Sequence, residues 1–504
     1  MASQGAILKT LMTKPGELLP QGATPAPTMT PTATPAPPLP WALASLSLAM
    51  LLSSLGTSIA NVGLPTLAQA FHAAFGQVQW VVLAYLLAIT SLIVGAGRLG
   101  DVIGRRRVLQ IGIGLFTLGA LLCGLAPTLA CLIAARALQG LGAAMMLAMS
   151  MALVADTVPK ETTARAMGWL GTMSAIGTAL GPTLGGAVIA LAGWRWIFLL
   201  NLPLGLLALL LVQRCLPQVK TENRTENQAG PQKIDRAGFD LPGTLLLAAT
   251  LGAYALAMTL GHGHFGMLNL ALLLAAGVGL GLFVLAERRA RSPLIRLSLL
   301  RDAALAGGLA MSTLVSTVMM ATLVVGPFYL ARGFGLAAAQ VGLVLSLGPL
   351  AAALAGVPAG RITTRFGTQG VTVLALGAMA AACLALAVMP LSFGLAAYIG
   401  PIVIVTIGYA LFQTANNTAV MANVAAQQRG LTSGMLNLSR NLGLISGASL
   451  MGAVFALATG TVGSERAEAV ASGARLTFAL AALLIMVALG IAAGAYRRRA
   501  SSQA

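Results

Sequence analysis

From Trp41 to the last ten residues, long apolar stretches alternate with short polar turns. An α-helix rises about 1.5 Å per residue, so about twenty apolar residues cross a hydrocarbon core about 30 Å thick. Fourteen segments are long enough to span: 41–65, 78–97, 108–126, 129–152, 166–190, 196–216, 241–260, 268–286, 304–330, 340–360, 370–390, 394–418, 431–457 and 474–495. No water in the bilayer core can satisfy a bare peptide group, so each segment is expected to be helical. The hairpin 241–286 stands apart, with a polar loop (217–240) before it and a basic one (287–303) after it.

Composition agrees with that pattern. The 504 residues are 58% hydrophobic and 8% charged, with mean hydropathy +0.88, too few charges to disperse a soluble protein of this size. The 59 glycines suit closely packed membrane helices. The first forty residues include GATPAPTMTPTATPAPPLP, whose Pro, Thr and Ala cannot build a core and read as a disordered tail. They lack the apolar run and cleavage site of a signal peptide, so the first hydrophobic segment is expected to remain as a span.

Charge sets the orientation. The 30 Lys and Arg against 12 Asp and Glu give a net charge of +18. The basic residues sit in short runs between apolar segments, which fits an anionic membrane face and not nucleic acid. Placing the N-terminus in the cytoplasm gathers Arg98 and Arg105 to Arg107, Lys160 and Arg165, Arg288 to Arg301, and Arg497 to Arg499 on that side. The opposite loops then hold only Arg195, Arg332, Arg466 and Arg475. The positive-inside rule therefore predicts both termini in the cytoplasm of a cell-membrane protein.

Other chemistry finds little support. Cys123, Cys131, Cys215 and Cys383 lie in or beside apolar stretches without metal-ligand spacing and read as buried free thiols. His262 and His264 occupy a Gly-rich turn with no carboxylate nearby. No span joins a nucleophile to a His or acid, and no phosphate-binding loop is visible. No metal, cofactor or enzymatic activity is expected, and the chain is expected to act as a monomer.

Three segments carry specific signals. In GRLGDVIGRRRVL (Gly97–Leu109), Gly97, Gly100 and Gly104 let helix ends pack backbone to backbone, and Asp101 stands among Arg98, Arg105 and their neighbours. A carboxylate among guanidiniums can latch one conformation; a plain basic loop is the simpler reading. In ARALQGLGAAMM (Ala135–Met146), Arg136, Gln139, Gly140 and Ala143 share one helix face. An arginine so placed faces a cavity or a partner, or snorkels to the surface from about 10 Å inside its helix. In GTMSAIGTALGPTLGG (Gly171–Gly186), Gly177, Gly181 and Gly185 form a smooth stripe continued by Gly186, and Pro182 adds a kink. The stripe suits a helix that slides or bends, and equally a static close contact.

GRLGDVIG (Gly97–Gly104) recurs loosely as GRITTRFG (Gly360–Gly367) after the tenth segment, the internal symmetry of two six-helix halves separated by an inserted pair. These motifs resemble the loop motif after helix 2, the helix 4 arginine motif and the helix 5 antiporter motif of the major facilitator superfamily. WRWIFLLNLPLG (Trp194–Gly205) and LGTSIANVGLP (Leu55–Pro65) resemble its fourteen-helix drug:proton antiporter branch. The resemblance implies an all-α fold of two six-helix bundles plus an inserted helix pair, with alternating access between the bundles. It implies export of amphipathic small molecules against inward proton flow; the competing reading is a transporter of one anionic or neutral metabolite. The expected division is a cytoplasmic tail (1–40), a first bundle (41–216), a loop with the inserted pair (217–303), a second bundle (304–495) and a tail (496–504).

Two departures stand out. The branch's helix 1 aspartate falls on Gly56, and Thr364 replaces the Asp101 counterpart in the second loop motif. All twelve acids fall in loops or at helix ends, leaving no carboxylate near mid-membrane for coupling. Uncharged polar residues do enter the spans. These are Asn61 in the first, Gln413, Asn416 and Asn417 in the twelfth, and Asn437 and Asn441 beside Arg440 in the thirteenth. Each amide is a candidate for the transport pathway or for interhelical bonding, whereas a charge such as Arg440 needs a partner or water.

Overall fold

The computed structural model describes residues 39–158, 160–216, 241–260, 266–290, 302–422, 424, 429–459 and 467–503. The expected N-terminal tail, the loop after the sixth span and the His262–His264 turn lie outside the described residues, as do the side chains of Arg98 and Asp101. Among the described residues, fourteen helices are long and apolar enough to cross a membrane. We label them α1 (Leu39–Ala70), α2 (Trp80–Ile103), α3 (Arg105–Leu125), α4 (Leu129–Thr157), α5 (Lys160–Ala192) and α6 (Trp196–Cys215). The inserted pair is α7 (Leu241–Thr259) and α8 (Met267–Arg289). A second set follows as α9 (Ala303–Phe328), α10 (338–366), α11 (368–388), α12 (Ala396–Met421), α13 (Arg429–Ser446) and α14 (Ala467–Gln503). α13 continues through a π-helical turn, Gly447–Met451, into Gly452–Thr459.

Residues 338–388 form one helical run broken only at Gly367, where φ is 78°. Gly104, between α2 and α3, has φ 97°. Only glycine adopts such angles without strain. The final glycine of each repeat therefore turns the chain directly from one span into the next, and the halves match here in backbone as well as in sequence.

Within the first half, α5 lies along α1 through its glycines. A Cβ on Gly177 would sit 2.5 Å from the Leu51 carbonyl oxygen, and one on Gly181 2.7 Å from Ser58 Cβ. Gly142 brings α4 onto the backbone of α3 at Phe116, and Gly140 brings it onto α2 at Tyr85. The second half repeats the device, with Gly443 and Gly447 of the α13 run set against the carbonyls of Thr313 and Thr317 in α9. Such contacts supply van der Waals attraction where lipid removes the hydrophobic drive between helices.

Packing differs at the two ends of the bundle. At the end bearing Arg105 to Arg107 and Arg288 to Arg289, each half has its own buried cluster, one around Met145, Met146 and Met149, another around Leu305, Leu309 and Met435. At the far end a single cluster crosses both halves, joining Ile59, Val78 and Phe198 to Met320, Phe328, Tyr398, Phe455 and Phe478. The halves are thus fused at the end away from the basic turns.

Candidate functional site

Arg136 is the centre of the first half. It is 0% exposed, and with Glu287 it is one of only two charged side chains buried among the described residues. Its Nε donates to the Val81 carbonyl at 2.9 Å, and its Nη1 donates to the Gly56 carbonyl at 3.1 Å and to Gln139 Oε1 at 2.7 Å. The guanidinium stacks 4.1 Å from the Tyr85 ring centroid and 5.8 Å from that of Phe198. Tyr85 is held in turn by its hydroxyl, which donates to the Ser53 carbonyl at 2.8 Å. One side chain on α4 therefore ties α1 and α2 together through backbone oxygens. It neither snorkels nor borders an open cavity in this conformation. Arg136 Nη2 and Gln139 Nε2 have no hydrogen-bond partner, nor does Asn61 Oδ1, and all three are buried.

Gly56 explains how the arginine fits. A Cβ there would stand 3.0 Å from the Phe116 ring and 3.3 Å from Tyr85 Oη. The position that carries a carboxylate in the resembling branch here presents only a carbonyl to the cation.

The far-end closure is aromatic. Phe75, in the turn entering α2, packs edge-on to Phe328 of α9 at 4.8 Å and against Phe455 at 5.0 Å between ring centroids. Beside it the amide of Gln79 lies on the backbone of Gly452. On one flank, Gly186 of α5 meets Gly342 of α10, backbone on backbone. On the other, α7 fills the gap between the halves. Trp80 Nε1 donates to Thr259 Oγ1 at 2.9 Å. None of these contacts was among the sequence candidates except Gly186. Periodicity does not say which aromatic of one half meets which of the other.

The remaining candidates separate by surroundings. Gly177, Gly181 and Gly185 face α1, while Gly186 faces the other half. Pro182 lies within the continuous helix α5, and its carbonyl approaches Gly342. In the loop motif, Gly100 packs on Met149, where a Cβ would be 2.5 Å from the sulfur, and Gly97 has open space. Arg105 Nη1 donates to the Ala152 carbonyl at 3.3 Å, joining the α2–α3 turn to α4. The latch assigned to Asp101 and Arg98 rests on side chains outside the described residues. Asn61 donates to Thr57 O at 3.4 Å, Asn416 to Gly308 O at 3.1 Å, and Gln413 to Tyr409 Oη at 2.9 Å. Asn417 and Arg440 are exposed, Asn437 is half-buried and Asn441 is buried. The amides grouped by sequence on one face of a helix thus divide among a bond to a neighbouring helix (Asn416), a bond within α12 (Gln413) and open surface (Asn417). Two expectations need correction. Of the four thiols expected to be buried, Cys131 is exposed, at the start of α4, and Cys215 is half-buried. α8 extends to Arg289, so Glu287, which was expected in a basic loop, is 3% exposed in its last turn.

Fourteen spans, two halves built on one plan and an inserted pair define an integral multi-pass membrane protein of transporter architecture. The sequence matches the Major Facilitator Superfamily over residues 46–448, and the chain belongs to that family. It is 32% identical over 412 residues to the uncharacterized transporter YebQ of Escherichia coli, covering 81% of this chain and 88% of the relative. It is 33% identical over 417 residues to the multidrug resistance protein Stp of Mycobacterium tuberculosis, covering 82% and 75%. The riboflavin transporter RibZ of Clostridioides difficile is 28% identical over 411 residues, covering 82% and 87%. In three dimensions the chain resembles a bacterial homologue of the lysosomal transporter Spinster, with TM-score 0.65 and 15% identity, covering 90% of this chain and 96% of that one.

Proposed function

We propose that this secondary transporter exports amphipathic small molecules from the cytoplasm by alternating access, in exchange for protons. The observation that carries the reading is the asymmetry of packing. One buried cluster fuses the halves at the far end, and separate clusters serve each half at the basic end. The positive-inside rule assigns the basic end to the cytoplasm of a cell membrane, so the conformation is closed outward by Phe75, Phe328 and Phe455. Opening the other way requires that trio to part while the basic ends close, with Gly177, Gly181 and Gly185 letting α5 slide on α1. Relatives named as multidrug resistance proteins support export of varied compounds.

A narrower reading, transport of one anionic or neutral metabolite, draws support from the cations within spans, Arg136 and Arg440, and from a relative named as a riboflavin transporter. One experiment separates the two. Cells expressing the protein are screened for efflux of a chemically diverse panel, with and without a protonophore. Export of several unrelated amphipaths, abolished by the protonophore, is expected. Movement of a single compound favours the narrower reading, and export indifferent to the protonophore removes proton exchange.

A further inference from the structure

Arg440 differs from Arg136 in being exposed, although it lies six residues beyond Gly434, where the apolar span begins, about 9 Å into it. Its direction follows from its neighbours. Ser439 Oγ bonds the Leu309 carbonyl and, at 2.9 Å, Thr313 Oγ1, so that edge of α13 faces α9. Leu438 packs on Leu247 and Phe283 of the inserted pair. At about 100° per residue, Arg440 points about 160° away from Leu438. It therefore leaves the helix away from the inserted pair, toward the space between the halves. Half-buried Asn437, three residues earlier, shares that face. Across from it, exposed Asn417 of α12 is nine residues beyond Gly408, whose backbone packs on Met379 of α11. Nine residues are about half a revolution from that contact, so Asn417 also faces inward, nearer the basic end.

The carboxylates whose side chains are described, Glu287, Asp302 and Glu468, all stand at helix ends. A guanidinium exposed within a span, beside an amide and, among the described residues, without a carboxylate at its depth, matches the fork geometry of a carboxylate or sulfonate. We infer that Arg440 and Asn437 form a binding site for the anionic group of an amphipathic substrate, with Asn417 on the way to it from the basic end. The inference rests on the export reading and narrows its substrate class to amphipathic anions alongside neutral compounds.

The test uses two probes with one scaffold, anilinonaphthalene sulfonate and neutral N-phenylnaphthylamine, in everted vesicles containing the full chain. The wild type is expected to move both. Arg440→Gln should raise the KM for the sulfonate about tenfold and leave the neutral probe unchanged. Arg440→Lys should fall between them, keeping the charge but not the fork. The neutral probe also reports that the variants insert and fold. Equal loss for both probes assigns Arg440 to structure and overturns the proposal, as does no change for either. A wild type that moves the neutral probe alone overturns the site but leaves the export reading standing. A wild type that moves neither overturns both.

Discussion

Arg136 offers a test that separates holding the fold together from carrying out transport. Truncation to alanine removes three hydrogen bonds and a cation stacked on Tyr85, and opens a cavity among fully buried neighbours. Hydrogen bonds from a charged donor contribute about 1.5–3 kcal/mol each, but stripping water from the guanidinium offsets several kcal/mol of that gain. The cavity adds its own cost, so Arg136→Ala should lose about 3–5 kcal/mol. Methionine of similar length refills the space and needs no desolvation. The Val81 and Gly56 carbonyls stay within α2 and α1 and can keep their helical bonds, and only Gln139 Oε1 loses its partner. Arg136→Met should therefore stay within about 1 kcal/mol of wild type. If the charge serves transport, that stable variant is inactive, and Arg136→Lys recovers little because one ammonium cannot reach three acceptors in fixed directions. The assay pairs thermal unfolding in detergent with dye export in proteoliposomes. An alanine variant as stable as wild type would refute the tie between helices, and a fully active methionine variant would remove the charge from the transport cycle.

Other consequences can be checked directly. Cysteines replacing Phe75 and Phe455, joined by a short bifunctional reagent, should stop transport, with activity returning when a cleavable linker is cut; undiminished transport in the linked protein would show that this contact need not open. Gly181→Leu should reach the membrane but transport poorly, because its side chain would meet Ser58 and the Ile59 nitrogen and force α5 off α1. Cysteines at Ala290 and Ser502 should label only from the cytoplasm and one at Gly463 only from outside, and labelling of Gly463 from the cytoplasm alone would overturn the orientation.

The spans were legible because lipid leaves the chain one solution, a helix for each long apolar run. Their ends were less so. The expected tenth and eleventh spans leave nine residues between them, yet helix runs on both sides of Gly367 up to the turn itself, since a single left-handed glycine reverses the chain. The repeat was legible at its glycines, whose backbone role is written in residue type. The sides on which helices meet were not. In a soluble helix polarity marks the outer face, but lipid and a buried neighbour both select apolar side chains. Asn416 and Asn417 look equivalent as residues, yet one bonds Gly308 and the other is exposed. Arg136 was legible as a charge requiring partners, but carbonyls of two neighbouring helices cannot be identified from a motif.

Gly56 shows how a partner changes a prediction drawn from residue type. By sequence alone, Gly56→Asp adds a titrating carboxylate to the route, which should favour cations and sharpen the pH dependence of transport. The structure sets that carboxylate beside Arg136, whose Nη1 already reaches the Gly56 carbonyl at 3.1 Å and whose Nη2 has no partner. An opposite charge at such range favours the ionised carboxylate. Pairing also neutralises the buried cation, and the Phe116 ring, 3.0 Å from the new Cβ, has to yield by a few tenths of an ångström. Gly56→Asp should then keep the pH profile of wild type from about pH 5.5 to 8 and leave export of a permanent dication low, because the added charge is already spoken for by the arginine. Paired efflux of a dication and a neutral dye across that range is the measurement. A variant that gains dication export, more steeply as pH rises, would mean that Arg136 withdraws from Gly56 when the far end opens. The hydrogen bonds seen here would then belong to one half of the transport cycle and not to the fold.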